Sequence, residues 1–160
     1  MGSVLKREAL GAELKALKDN GKKIVSTNGC FDILHVGHVR ILQQSKALGD
    51  ILVVGINSDA SVRKLKGETR PINNEEDRGE VLAALECVDY VCVFGEDTPV
   101  EFLKVVQPNI HVKGSDYKPE DLEETPIVRS FGGDVKILPL VPNKSTTSVV
   151  AKIAADKACN

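Results

Sequence analysis

Two histidines three residues apart, His35 and His38, close the stretch Thr27-Asn28-Gly29-Cys30-Phe31-Asp32-Ile33-Leu34-His35-Val36-Gly37-His38. At a helix start this spacing puts both imidazoles on one face, and Gly37 between them leaves room for a bulky polyanion to approach. The first-turn N–H groups of such a helix have no intrahelical partners and favour negative charge. The chemistry this suggests is two imidazoles aimed at one phosphate chain. A zinc site made from Cys30 and the two histidines fits less well, because no fourth ligand or carboxylate stands at a recognisable spacing. A second hydroxyl-rich helix start, Ser145-Thr146-Thr147-Ser148, combines side chains that cap a helix with N–H groups that can hold phosphate.

The elements that must position these residues are legible around them. Lys23-Ile24-Val25-Ser26 is a short β-type run, and Val39, Ile41, Leu42, Ser45, Ala47 and Leu48 follow a helical period. The histidine motif is therefore a strand-to-helix turn, in which Gly29 lets the backbone bend toward a ligand. Residues 4–19 read as an amphipathic helix ended by Asn20-Gly21. Residues 51–56 are continuously apolar, as in a strand buried on both faces, and further strand-like runs cover 90–94, 110–113 and 135–138. Helical stretches at 75–86, 99–106, 120–131 and 145–157 lie between and after them. The alternation predicts an α/β protein, an open and doubly wound parallel sheet with helices on both faces. Ligands of such sheets bind beyond the carboxyl ends of the strands, where Asn57-Ser58-Asp59, Lys113-Gly114-Ser115-Asp116-Tyr117 and the two motifs fall. Asp59 reads equally as a helix cap and as a site residue. Arg63, Lys64, Lys66 and Arg70, in a segment marked by Gly67 and Pro71, read as a mobile charged loop.

The 160 residues, 42% hydrophobic and 28% charged, suit one domain, here 1–160, with an N-terminal helical segment over 1–21 and a core over 22–157. A net charge of −2 and no basic block give no reason to expect nucleic acid. No run spans a bilayer and no leader opens the chain, so neither membrane nor export is expected. Cys30, Cys87, Cys92 and Cys159 form no CxxC and read as reduced thiols of a cytoplasmic protein. Neither GxxxxGK[ST] nor GxGxxG occurs, which removes the main support for P-loop hydrolysis and dinucleotide-dependent redox chemistry.

His35-Val36-Gly37-His38, behind a Gly-Cys-Phe-Asp turn and ahead of an amphipathic helix, resembles the HxGH signature of the nucleotidylyltransferase superfamily, and Ser145-Thr146-Thr147 resembles its second signature. Within it the chain is most similar to the adenylyltransferases that act on D-glycero-β-D-manno-heptose 1-phosphate. The similarity runs from about Lys23 to Ile153 through Asn57-Ser58-Asp59-Ala60-Ser61, Lys64-Leu65-Lys66-Gly67, Arg70-Pro71-Ile72-Asn73, Glu96-Asp97-Thr98-Pro99 and Val112-Lys113-Gly114. The resemblance implies a Rossmann-like five-stranded sheet in the order 3-2-1-4-5, transfer of an adenylyl group from ATP to the sugar 1-phosphate, Mg²⁺ bridged by phosphates rather than held by protein side chains, and a homodimer. Such domains are often joined behind a sugar kinase, and none is found here, which suggests a free-standing or excised unit.

The same resemblance assigns residues. His35 and His38 meet the nucleotide phosphates, Lys66 closes over the triphosphate with Lys64 in reserve, and Arg78 meets the phosphates too, although an arginine on a solvated helix face would look the same. Nucleotide-binding positions are Thr27, Asn28, Gly29, Cys30, Phe31, Gly37, Asn57, Asp59, Lys113, Gly114, Asp116, Ser145, Thr146 and Thr147. Asp32 is expected to fix the turn, and His111 to serve packing. Three departures stand out: Lys144 occupies a position where relatives often carry an apolar residue, residues 140–143 lack the arginine of some cytidylyl relatives, and Ser115 replaces a glycine common in the heptose-phosphate relatives. Cytidylyl transfer to an alcohol phosphate, adenylyl transfer to flavin mononucleotide and a sensor without turnover are the competing readings.

Overall fold

The computed structural model describes residues 1–114 and 118–157 of the chain. The expected site residue Asp116, with its neighbours Ser115 and Tyr117, lies outside the described residues. Six strands, β1 (Ser3–Val4), β2 (Ile24–Gly29), β3 (Ile51–Asn57), β4 (Tyr90–Phe94), β5 (Ile110–Gly114) and β6 (Asp134–Leu138), form one parallel sheet in the order β1-β4-β3-β2-β5-β6. Five of them in chain order lie 3-2-1-4-5, as expected, but the count of five is corrected to six. The extra edge strand is two residues long, too short to show a period, and its Val4 merges into the apolar pattern of the helix that follows. That helix begins at Arg7 rather than at residue 4.

Why the sheet holds is visible in β3, where every residue after Ile51 is buried and successive side chains go to opposite faces. Val53 joins Leu10 and Leu14 of α1 (Arg7–Asp19), Phe102, Leu103 and Val106 of α5 (Val100–Val106) and Val128 of α6 (Glu124–Ser130). Val54 and Ile56 join Leu42 of α2 (Val36–Lys46) and Leu82 of α4 (Glu75–Ala83) on the other face. Each face thus buries its own apolar layer, the main favourable contribution to folding.

The segment expected as a mobile loop contains a helix, α3 (Asp59–Lys66), whose N-terminus is capped by Ser58 accepting from the N–H of Ser61 at 3.2 Å. Gly67, at φ 101°, ends it. The following turn is tied down as well. Asp32 Oδ1 accepts from the N–H groups of Ile72 and Asn73 at 2.8 and 3.0 Å, and its Oδ2 from Arg70 Nε at 2.6 Å. Burial opposes ionisation of Asp32, but the Asn73 and Ile72 N–H groups and Arg70 outweigh it and hold the carboxyl below its ordinary range. Asp32 fixes the turn, as expected. The last helix is α7 (Thr146–Lys157). No helix among the described residues is long and apolar enough to cross a membrane.

His111 is fully buried in β5, with Nδ1 2.8 Å from Ser26 Oγ on β2. Burial, then the charge of Lys113, pushes its pKa down to about 3. A depressed histidine contributes stability that is complete above the unfolded value near 6.5 and declines as pH falls from there toward 3, because the unfolded chain binds the proton first. At pH 5 this amounts to a loss of about 2 kcal/mol. Urea midpoints at pH 7 and pH 5 should show it, and His111→Gln should flatten that part of the slope.

Candidate active site

The strand order reverses between β2 and β5, and a cavity of about 310 Å³ opens at their carboxyl ends. Its floor is the turn Thr27-Asn28-Gly29-Cys30-Phe31, with His35, Gly37 and His38 at the start of α2. Lys66 closes one side, and Gly114, Ser145, Thr146 and Thr147 stand on the other. Thirteen of the eighteen expected site residues line this one cavity. Lys144, Ile41 and the run Pro139-Leu140-Val141 line it too, although the motifs do not assign them to the site. Of these only Lys144 carries a signal, its unusual place directly before Ser145. The apolar wall follows β6, where sequence gives no reason to separate a ligand-facing residue from a core residue.

The histidines are positioned by backbone chemistry. His35 is the N-cap of α2, and its Nδ1 accepts from the N–H of Gly37 at 3.1 Å. A nitrogen that accepts carries no proton, so the neutral ring keeps its proton on Nε2 and can donate from there. A Cβ on residue 37 would come within 2.9 Å of the His35 ring, which is why glycine stands there. The His38 ring stacks on it at 3.9 Å between centroids and 25° between planes, and the Phe31 ring lies 5.1 Å from that of His38. Phe31 adopts φ 47°, an uncommon conformation that keeps its ring beneath the histidine pair. Burial, then His35 and Lys66, push the His38 pKa down to about 4, and burial with the Lys144 charge lowers His35. At neutral pH both rings are therefore uncharged hydrogen-bonding groups. The positive charge of the described cavity wall resides on Lys66 and Lys144, and both side chains are exposed at its mouth.

The other expected residues divide. Lys66 ends α3 rather than riding on a loop, while Lys64 points to Asp97 on the surface, 3.4 Å away. The Thr27 hydroxyl is committed to Val112 O at 2.9 Å, so Thr27 offers the cavity chiefly backbone. The Cys30 thiol is pushed up by burial, against the lowering charges of Lys66 and Arg78, and donates to Asn57 Oδ1 at 3.7 Å. It is neither a thiolate nucleophile nor a prepared zinc ligand. Ser145 caps α7, its Oγ accepting from the Ser148 N–H at 3.1 Å, and Thr146 Oγ1 donates to Ile33 O at 3.3 Å.

Four residues stand behind the cavity wall. Arg78 is 2% exposed and donates to Cys30 O at 2.6 Å, Asn57 O at 2.8 Å, Asn73 O at 3.0 Å and Asp59 Oδ1 at 2.8 Å. It braces the turn from beneath, and Asp59 is its counter-ion rather than a cap. Asn57 turns inward, donating to Ser61 Oγ at 3.1 Å. Lys113 lies behind Asn28. Among the described residues no three His, Cys, Asp or Glu side chains converge in a metal-binding group.

A cavity at the switch point of a parallel sheet, walled by N–H groups, neutral imidazoles, hydroxyls and two lysines, defines an α/β protein that handles phosphate esters. The chain belongs to the cytidylyltransferase-like family, a family of nucleotidyltransferases, whose model matches residues 26–152. It is 50% identical to the bifunctional protein HldE of Trichlorobacter lovleyi over 147 residues, which are 92% of this chain and 30% of that protein. It is 53% identical over 146 residues to HldE of Geotalea uraniireducens, covering 91% and 30% of the two chains. The chain thus spans about a third of the length of these curated relatives. Among solved structures, the lipopolysaccharide core biosynthesis protein of Thermoplasma volcanium GSS1 superposes with a TM-score of 0.63 at 33% identity, covering 78% of this chain and 100% of that one.

Proposed function

We propose that this chain transfers the adenylyl group of ATP to D-glycero-β-D-manno-heptose 1-phosphate, giving ADP-heptose, a lipopolysaccharide core precursor, and pyrophosphate. The observation that carries the reading is the pair of neutral, stacked imidazoles bracketed by Lys66 and Lys144 over one turn. The similarity to HldE proteins and to a lipopolysaccharide core biosynthesis protein supports the choice of substrate.

A sugar 1-phosphate is already an anion at pH 7, so no side chain need take its proton. An acceptor phosphate oxygen attacks the α-phosphorus, the bond from that phosphorus to the α–β bridging oxygen breaks, and pyrophosphate leaves with the electron pair. The barrier lies in bringing two polyanions into line and spreading the charge that develops. His35 donates from Nε2, His38 lies stacked against it, and the turn amides and the α7 start hold phosphate oxygens. Lys66 and Lys144 neutralise from either side. The cavity wall carries no carboxylate among the described residues, so its donor set fits Mg²⁺ that enters on phosphate oxygens. When bound in that way the ion supplies further neutralisation of the triphosphate.

Pyrophosphate release from ATP and from CTP, each offered heptose 1-phosphate, glycerol phosphate, ethanolamine phosphate and flavin mononucleotide, tests the proposal. Release with ATP and the heptose phosphate is the expected result. Release with CTP and an alcohol phosphate alone would move the chain to the cytidylyl branch of the family, and none with any pair would point to a sensor.

A further inference from the structure

Glu124, at the start of α6, is a carboxylate only 5% exposed, and in the sequence it looks like one more acid in a polar turn. Its Oε1 lies 2.7 Å from the Nζ of Lys113 on β5. The same Nζ donates to Asn28 Oδ1 at 3.0 Å, and Asn28 lines the cavity at the end of β2. An ammonium has three donors and no acceptor. The Asn28 carboxamide must therefore turn its oxygen to Lys113, which aims its two N–H groups the other way.

We propose that Glu124 and Lys113 are positioning residues that lock the Asn28 amide with its N–H groups toward the nucleotide phosphates, making the Asn28 side chain a phosphate donor. The inference rests on the nucleotidyl-transfer reading of the cavity and adds a side-chain contact to it. A free carboxamide could turn either end to the ligand, and an oxygen facing a phosphate repels it. Lys113 removes that choice, and Glu124 keeps Lys113 from swinging into the cavity to pair with the phosphates itself. The ion pair is too buried to be explained by its own stability, since such pairs often do no better than apolar residues of the same size.

Asn28→Asp separates this role from a structural one. The carboxylate is the same shape and pairs with Lys113 at least as well, so the fold is kept, but it places a second, charged oxygen where the N–H groups were. The expected result is an unfolding midpoint equal to or above that of the unaltered chain, with pyrophosphate affinity by calorimetry and pyrophosphate release from ATP both reduced about 100-fold. Lys113→Met should raise the KM for ATP about tenfold with a smaller change in kcat, and Glu124→Gln, which still accepts from Lys113 but no longer holds it by charge, should raise that KM by a smaller factor. A folded Asn28→Asp chain with pyrophosphate affinity and turnover within threefold of the unaltered one overturns the proposal. So does an unaltered chain that does not bind pyrophosphate. An unaltered chain that binds pyrophosphate but does not use heptose 1-phosphate counts against the substrate reading alone, and the Asn28→Asp affinity still decides this one.

Discussion

His38→Ala is expected to turn over about 10² to 10³ times more slowly than the unaltered chain while remaining folded, the range seen when one preorganised donor to a developing charge is removed. The ring is partly buried, stacked on His35 and backed by Phe31, so it would meet a phosphate without having to be ordered first. Its pKa near 4 makes it neutral throughout the range in which the enzyme would be assayed. The sign is plain: the neutral ring is present above about pH 4 and is lost only as pH falls through that value. The kcat profile should therefore be flat between pH 6 and pH 8 with respect to this group. Steady-state pyrophosphate release across that range, with circular dichroism of the variant, checks both points. Unchanged turnover in a folded His38→Ala chain would remove His38 from the machinery.

Arg78→Ala is expected to cost about 3 to 5 kcal/mol of stability, the range for breaking a buried charge network by deleting one partner. The guanidinium holds together the carbonyls of Cys30, Asn57 and Asn73 and the Asp59 carboxylate, four points on three segments that build the floor and one edge of the site. Lysine is a point charge and cannot span them, so Arg78→Lys should recover only some of the loss. Urea unfolding measures the cost. The resemblance places this arginine on the phosphates, and the two roles separate cleanly. A phosphate ligand would raise the KM for ATP and leave the urea midpoint alone, whereas a brace lowers the midpoint.

Arg78 also shows where sequence reading stops. In Glu75-Glu76-Asp77-Arg78 a charged helix face and a buried brace look alike, because the carbonyls that receive the guanidinium come from residues 30, 57 and 73. Glu124 is hidden for the same reason: what buries it and what it pairs with lie on other elements. The segment around Lys66 misleads differently. Gly67 and Pro71 suggest mobility, but Ser58 caps a real helix ahead of Gly67 and Asp32 ties down the turn after it. By contrast, the strand-turn-helix around His35 and His38 and the order of five strands are legible. Both depend on local chemistry, glycine and cap residues in one case and long uninterrupted apolar runs in the other.

The two-residue strand β1 has a consequence out of proportion to its length. It covers the outer side of β4 at Tyr90 and Val91: the N–H groups of Ser3 and Leu5 donate to Asp89 O and Val91 O at 2.9 Å each, and Gly2 N–H reaches Ala83 O at 2.8 Å. Without it, the apolar strand Tyr90–Phe94 would present unpaired backbone groups along an open edge, the template on which one chain recruits another into a continuous sheet. A handful of residues at the start of the chain, with no place in the cavity, thus act as a guard against intermolecular strand pairing.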